Sequence, residues 1–109
     1  MPRIANHQID AQVRELNEFV NYNGTISADR WNSDRGTIYG VVHWNTRILD
    51  FNIDTKTIEM FRVQTISQTT STLVGRLLRN LPTQSVMDFL NSPDLSNAEK
   101  KRLHRMARL

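Results

Sequence analysis

Three histidines, no cysteine and eleven carboxylates are the raw material for chemistry in this chain of 109 residues. His7, His43 and His104 fall in three different predicted elements, none at a recognisable spacing from a carboxylate or a serine nucleophile. Without cysteine there is no thiol nucleophile, thiolate zinc site or disulfide framework. The stretch Asp50-Phe51-Asn52-Ile53-Asp54 supplies the first three ligand positions of a calcium loop. Thr55 then stands where the tight turn needs glycine, and Phe61 where the bidentate glutamate belongs. A turn built by strand-end Asp and Asn side chains is the better reading. No catalytic residue, metal site or cofactor is expected, and the chain reads as a binding protein, not an enzyme.

The segment ISQTTSTLVGRLLRNLP, residues 66–82, places hydroxyls at the head of a predicted helix. Thr69, Thr70 or Ser71 could cap its free amides, and such amides also bind phosphate. A phosphate loop needs glycines so that backbone can approach the ligand, and none precedes this helix. The hydroxyls therefore read as a cap, and Gly75, inside the helix, as a point of close packing on the sheet.

Charge offers the stronger signal. Residues 1–75 carry 7 Lys/Arg and 8 Asp/Glu, whereas residues 76–109 carry 7 Lys/Arg and 3 Asp/Glu. On a helical wheel Lys100, Lys101, His104, Arg105 and Arg108 cover one arc of about 140°. Such a face can lie along phosphates or meet an acidic protein surface. Arg76 and Arg79 are candidate additional contacts. Tyr39, Trp44, Phe51 and Phe61 fall on predicted strands, where they read as core rather than as a base-stacking platform. A helix-turn-helix over 83–108 is disfavoured, because Ser92-Pro93-Asp94-Leu95 is a capped break and few base-reading residues follow it.

The elements that must position these groups follow from periodicity. Ile9, Val13, Leu16 and Val20 recur at helical spacing, predicting a helix over 8–20 that stops at Asn21-Tyr22-Asn23-Gly24. Runs rich in β-branched and aromatic residues at 38–44 and 46–51 predict a tight hairpin around Asn45-Thr46. A further strand at 56–63 and a shorter one at 25–31 complete a three- to four-stranded antiparallel meander. Leu73, Val74, Leu77, Leu78 and Leu81 stripe a helix that Pro82 ends, and another helix covers 83–91. The last begins at the capping box Ser96-Asn97-Ala98-Glu99 and runs to the C-terminus. The expected fold is α+β: an N-terminal helix, the meander, then two to three C-terminal helices packed on the sheet, all in one domain over 1–109.

With 39% apolar and 23% charged residues, the composition fits a folded globular chain and excludes collagen-like and wholly disordered classes. No window approaches a membrane span, and MPRIANHQIDAQ lacks the apolar core of a signal peptide, so an intracellular protein is expected.

Three segments stand out: Gly24-Thr25-Ile26-Ser27-Ala28, the strand from Tyr39 through Gly40, Val41, Val42, His43, Trp44, Asn45, Thr46 and Arg47 to Ile48, and Ser67-Gln68-Thr69-Thr70-Ser71. Together they resemble a family of small tailed-bacteriophage proteins. The family pattern is G-[ST]-x-[ST]-A, then Y-x-V-x-S-Y-x-T-x-I-A, then a Y-S-x-T-T-S-K-H-Q helix start ending in R-x-L, which Arg79-Asn80-Leu81 keeps. Trp44 stands for the family's Tyr, Leu49 for its Ala and Ile66 for the Tyr before Ser67. Its Lys-His-Gln becomes Thr72-Leu73-Val74, so any ligand chemistry at that helix head is lost here. The family carries no assigned activity. The resemblance implies a phage origin, expression in the host cytoplasm, and binding that occludes a host protein or protein–nucleic-acid complex, as an anti-defence inhibitor would. Nucleic-acid binding through the basic helix and a virion or oligomeric structural role are the alternatives.

Overall fold

The structure, a computed structural model, describes residues 2–62 and 68–107, with side chains left out at 68–71. Its class is α+β, as the periodicity predicts. The strands are β1 (Arg3–Ile4), β2 (Phe19–Asn21), β3 (Ile26–Ser33), β4 (Gly36–His43), β5 (Thr46–Asn52) and β6 (Thr57–Phe61). They form one sheet in chain order, antiparallel throughout except that β1 runs parallel to β2. The helices are α1 (Ile9–Arg14), α2 (Gln68–Asn80), α3 (Thr83–Leu90) and α4 (Asn97–Ala107).

The expected three to four strands are thus six, and the N-terminal helix is half its expected length. Ile9 and Val13 are buried on α1, but Leu16 turns left-handed at φ 57° and ends the helix early. Its carbonyl accepts from Arg30 Nε at 2.8 Å, and the Asn17 carbonyl accepts from the buried Tyr39 hydroxyl at 2.8 Å. Those side chains, distant in sequence, satisfy carbonyls that another helical turn would have used. Phe19 then enters β2, where it pairs with Ala28, and Val20 pairs with Arg3 of β1. Spacings of 4, 3 and 4 cannot distinguish this break from one continuous helix.

The later elements follow their signals closely. Pro82 stops α2 and stands at the N-cap of α3. Ser96 and Glu99 form the expected reciprocal box: the Ser96 amide donates to Glu99 Oε1 at 2.9 Å, and the Glu99 amide donates to Ser96 Oγ at 3.2 Å. The Ser96 amide and hydroxyl hold the Glu99 carboxyl below the usual carboxylate range.

One face of the sheet carries the core. Ala28, Val41, Leu49 and Phe61 lie in register across four strands, with Tyr39, Phe51 and Ile58 as the next row. Both rows belong to one buried cluster with Leu73, Val74, Leu77 and Leu78 of α2, Val86 and Leu90 of α3, and Leu103 and Ala107 of α4. The register shift at Val41/Val42 leaves Ile48 as an extra residue in β5, so that neighbouring Ile48 and Leu49 are both buried, and the shift at Asp50/Phe51 leaves Glu59 extra in β6. The shift beside β6 also explains why 56–63 has no clean alternation. The shortest principal extent, 22 Å, is that of two layers, sheet and helices.

The opposite face is closed by its own side chains. Trp31 lies over Gly40, where an added Cβ would come within 2.5 Å of the indole. The Arg47 guanidinium sits 4.3 Å from the Trp31 ring centroid and is held by Asp50 at 2.8 Å. Gly40 is therefore required by a ring, not by its backbone angles. Gly40→Ala should lower stability by about 1–3 kcal/mol through overpacking. In a Trp31→Ala background the same change should be neutral or stabilising, by about 0.5–1 kcal/mol from strand propensity. Urea unfolding of the double-mutant cycle measures the reversal.

Candidate functional site

Two turns meet at one end of the sheet. Asn21, 1% exposed, closes β2 and organises the first. Its Nδ2 donates to Asn6 Oδ1 at 3.0 Å and Thr25 Oγ1 at 2.9 Å, while its Oδ1 accepts the Thr25 and Ile26 amides at 2.8 and 3.1 Å. The loop 22–25 wraps this amide, helped by Gly24 at φ 71°. Asn21-Tyr22-Asn23-Gly24 is thus a strand-to-strand turn, not the helix stop expected from its residue types. The second turn is the β4–β5 hairpin, one residue earlier than expected, with Trp44 and Asn45 at φ 51° and 63°. The Trp44 amide donates to the Thr25 carbonyl at 2.9 Å and locks the two turns together.

Both turns present aromatics to solvent. Trp44 is 69% exposed and Tyr22 63%, the two most exposed large apolar side chains among the described residues. Two positive φ values make a type I′ turn, whose first position prefers Asn, Asp or Gly. Asn45 suits such a conformation. A tryptophan there bears the left-handed penalty of about 1–2 kcal/mol while leaving most of its ring in water. His43 beneath it is buried, with its ring centroid 6.3 Å from that of Trp44, and desolvation pushes the imidazole pKa down from its ordinary value. Arg3 crosses the same end, donating to the Tyr22 carbonyl at 2.9 Å.

The predicted basic site is only partly brought together. Leu103 and Ala107 are the buried side of α4, with Lys100 and His104 half-buried beside them. Lys101 and Arg105 are exposed, as is Arg102, which the predicted arc left out. None of these four cations, Lys100, Lys101, Arg102 and Arg105, joins an ion pair among the described residues. Arg108 lies outside the described residues.

Arg76 is ion-paired within the fold, whereas Arg79 is exposed and reaches the backbone of α4. Arg76 donates to Asp10 at 2.9 Å and to the Asn6 carbonyl at 2.8 Å, and Arg79 donates to the Met106 carbonyl at 2.8 Å. Gly75 packs close to α4, where its Cβ would lie 3.2 Å from the Met106 carbonyl, rather than onto the sheet as expected. The cap at Thr69, Thr70 and Ser71 rests on side chains outside the described residues. Asp50, Asn52 and Asp54 are used for structure: Asp50 holds Arg47, Asn52 Oδ1 accepts the Asp54 and Thr55 amides, and Asp54 accepts the Thr37 amide. Of the four sheet aromatics, Tyr39, Phe51 and Phe61 are core and Trp44 is not. A two-residue hairpin with an aromatic ahead of Asn45 was the one signal that could have singled out Trp44.

Trp44→Asn should raise stability by about 1 kcal/mol, read as a higher urea midpoint at unchanged slope, because Asn accepts the left-handed region. His43 sets a pH dependence. Its folded pKa lies below 6.5, so the unfolded chain takes up the proton first and stability falls as pH drops below about 6.5. His43→Gln should flatten that fall, which chemical denaturation between pH 7 and pH 5 would show. No protein-family model, curated protein or solved structure matches this chain.

Proposed function

We propose that this chain is a phage-type protein that acts without catalysis, in the host cytoplasm, by binding a host protein and occluding the surface it covers. The observation that carries the reading is Trp44, held in a disfavoured backbone conformation with its ring in water. That arrangement costs stability and contributes little packing, so it favours a role outside the folded chain. Trp and Tyr are the residue types that most often dominate interface energetics, and Trp44 and Tyr22 are carried by two turns that the Trp44–Thr25 hydrogen bond joins at one end of the sheet. The Asn21 amide and the Trp44–Thr25 hydrogen bond hold that end before any partner arrives, which lowers the ordering entropy of association. The family resemblance supports the phage origin and, with it, a host target.

A second reading, nucleic-acid binding through α4, is favoured by Lys101, Arg102 and Arg105, exposed cations with no ion pair among the described residues. Lys100 and His104 flank them. Immobilised protein in host lysate, with and without nuclease, separates the two. Under the first reading a host protein is retained after nuclease treatment, and Trp44→Asn with Tyr22→Ser weakens retention by roughly 30-fold or more, the size of a lost hot spot. Under the second, nuclease abolishes retention, and Lys101→Glu with Arg105→Glu does what the aromatic changes do not. Failure to retain any protein at low salt overturns the first reading.

A further inference from the structure

β6 is the last strand of the sheet and, among the described residues, pairs only with β5, so its other edge has no strand partner among them. Beside it runs α3. Ser85 Oγ donates to the Lys56 carbonyl at the start of β6, and the rings of Phe61 and Phe89 lie 5.9 Å apart at its end. Between strand and helix is a groove of about 610 Å³, lined on one side by residues 56–61 and on the other by α3 and its exit through Leu95. Met60, Phe89 and Leu95, all half-buried, supply apolar lining.

The charges around this groove are uneven. Glu59, Asp88 and Asp94 line it against Lys56 alone. Glu59 is neutralised by Arg35 at 3.0 Å, whereas exposed Asp88 and Asp94 have no ion-pair partner among the described residues. An edge strand facing a helix is the geometry in which an extended peptide adds as one more strand, main-chain hydrogen bonds giving affinity and alternate side chains giving selection.

We infer that the β6–α3 groove is a docking site for an extended peptide segment of another protein, carrying apolar side chains on one face and a basic residue opposite Asp88 and Asp94. A second copy of this chain fits less well. Edge-to-edge pairing of two β6 strands would meet the α3 wall and bring the same carboxylates together. The site is separate from the Trp44 end, and either could exist without the other.

The probe is an acetylated nonapeptide alternating valine with threonine or arginine. Its controls are the same peptide N-methylated at alternate amides and a version with glutamate for arginine. Titration into labelled protein, followed by backbone amide shifts, should move Thr57–Phe61 and residues 88–95. N-methylation or glutamate should each weaken binding at least tenfold. Asp88→Lys with Asp94→Lys, both exposed positions, should weaken the arginine peptide tenfold and favour the glutamate peptide; Trp44→Asn should change neither. Absence of shifts in β6 at millimolar peptide overturns the inference, as does equal binding of the N-methylated peptide. Concentration-dependent β6 shifts without peptide would make the edge a self-association surface and overturn it too.

Discussion

A buried amide cannot be left half satisfied, and two asparagines impose that constraint on opposite ends of this sheet. Asn21 joins the 3-10 turn at Asn6–Gln8, the loop 22–25 and the start of β3. Asn52, also 1% exposed, does the same where β3 meets β4 and β5 meets β6. It donates to the Arg35 carbonyl and Glu59, and accepts the Asp54 and Thr55 amides. Each amide lies at the boundary between core and turns, and supplies partners to turn backbone groups there. Two side chains thereby define both rims. The hairpin that carries Trp44 is anchored through Thr25, which Asn21 holds in turn.

The same economy governs the cations. Arg30 closes the end of α1, Arg14 joins it to Asn80 of α2, Arg76 fastens it again through Asp10, and Arg79 ties α2 to the end of α4. Arg47 covers Trp31 on the face without helices. Planar guanidinium groups suit these tasks, since each reaches a carbonyl or carboxylate with several fixed donors. Among the described residues, Lys101, Arg102 and Arg105 on α4, with exposed Arg79 reaching the end of that helix, are exposed cations outside any ion pair.

Local signals made α2, α3, α4 and the β4–β5 hairpin legible, because Pro82, the Ser96 box and alternating β-branched residues each act within a few positions. The short strands β1 and β2 were not legible. Their pairing is parallel and spans the whole of α1, and neither strand is long enough to show alternation. Leu16 gave no warning as a helix end, since its left-handed conformation is supported by Arg30 and Tyr39, far along the chain. The basic arc was legible as a pattern of charge but not as a count of free charge. A wheel places Arg76 at the surface without showing that Asp10 pairs with it. Gly40 likewise looks like a flaw in a strand until Trp31 is seen lying across it.

Trp44 illustrates how exposure and strain together discriminate where either alone would not. An exposed aromatic is ordinary on a small domain, and a strained residue is ordinary where buried partners force it. Lys56, at φ 57°, is strained but sits in a turn whose Asn52 amide network requires a sharp reversal, and its side chain is simply solvated. Trp44 has no such network behind it: its ring lies tilted beside buried His43 with most of its surface in water, and Asn or Gly would serve the hairpin turn better. Under the proposed function, a partner that covers the indole offsets that strain.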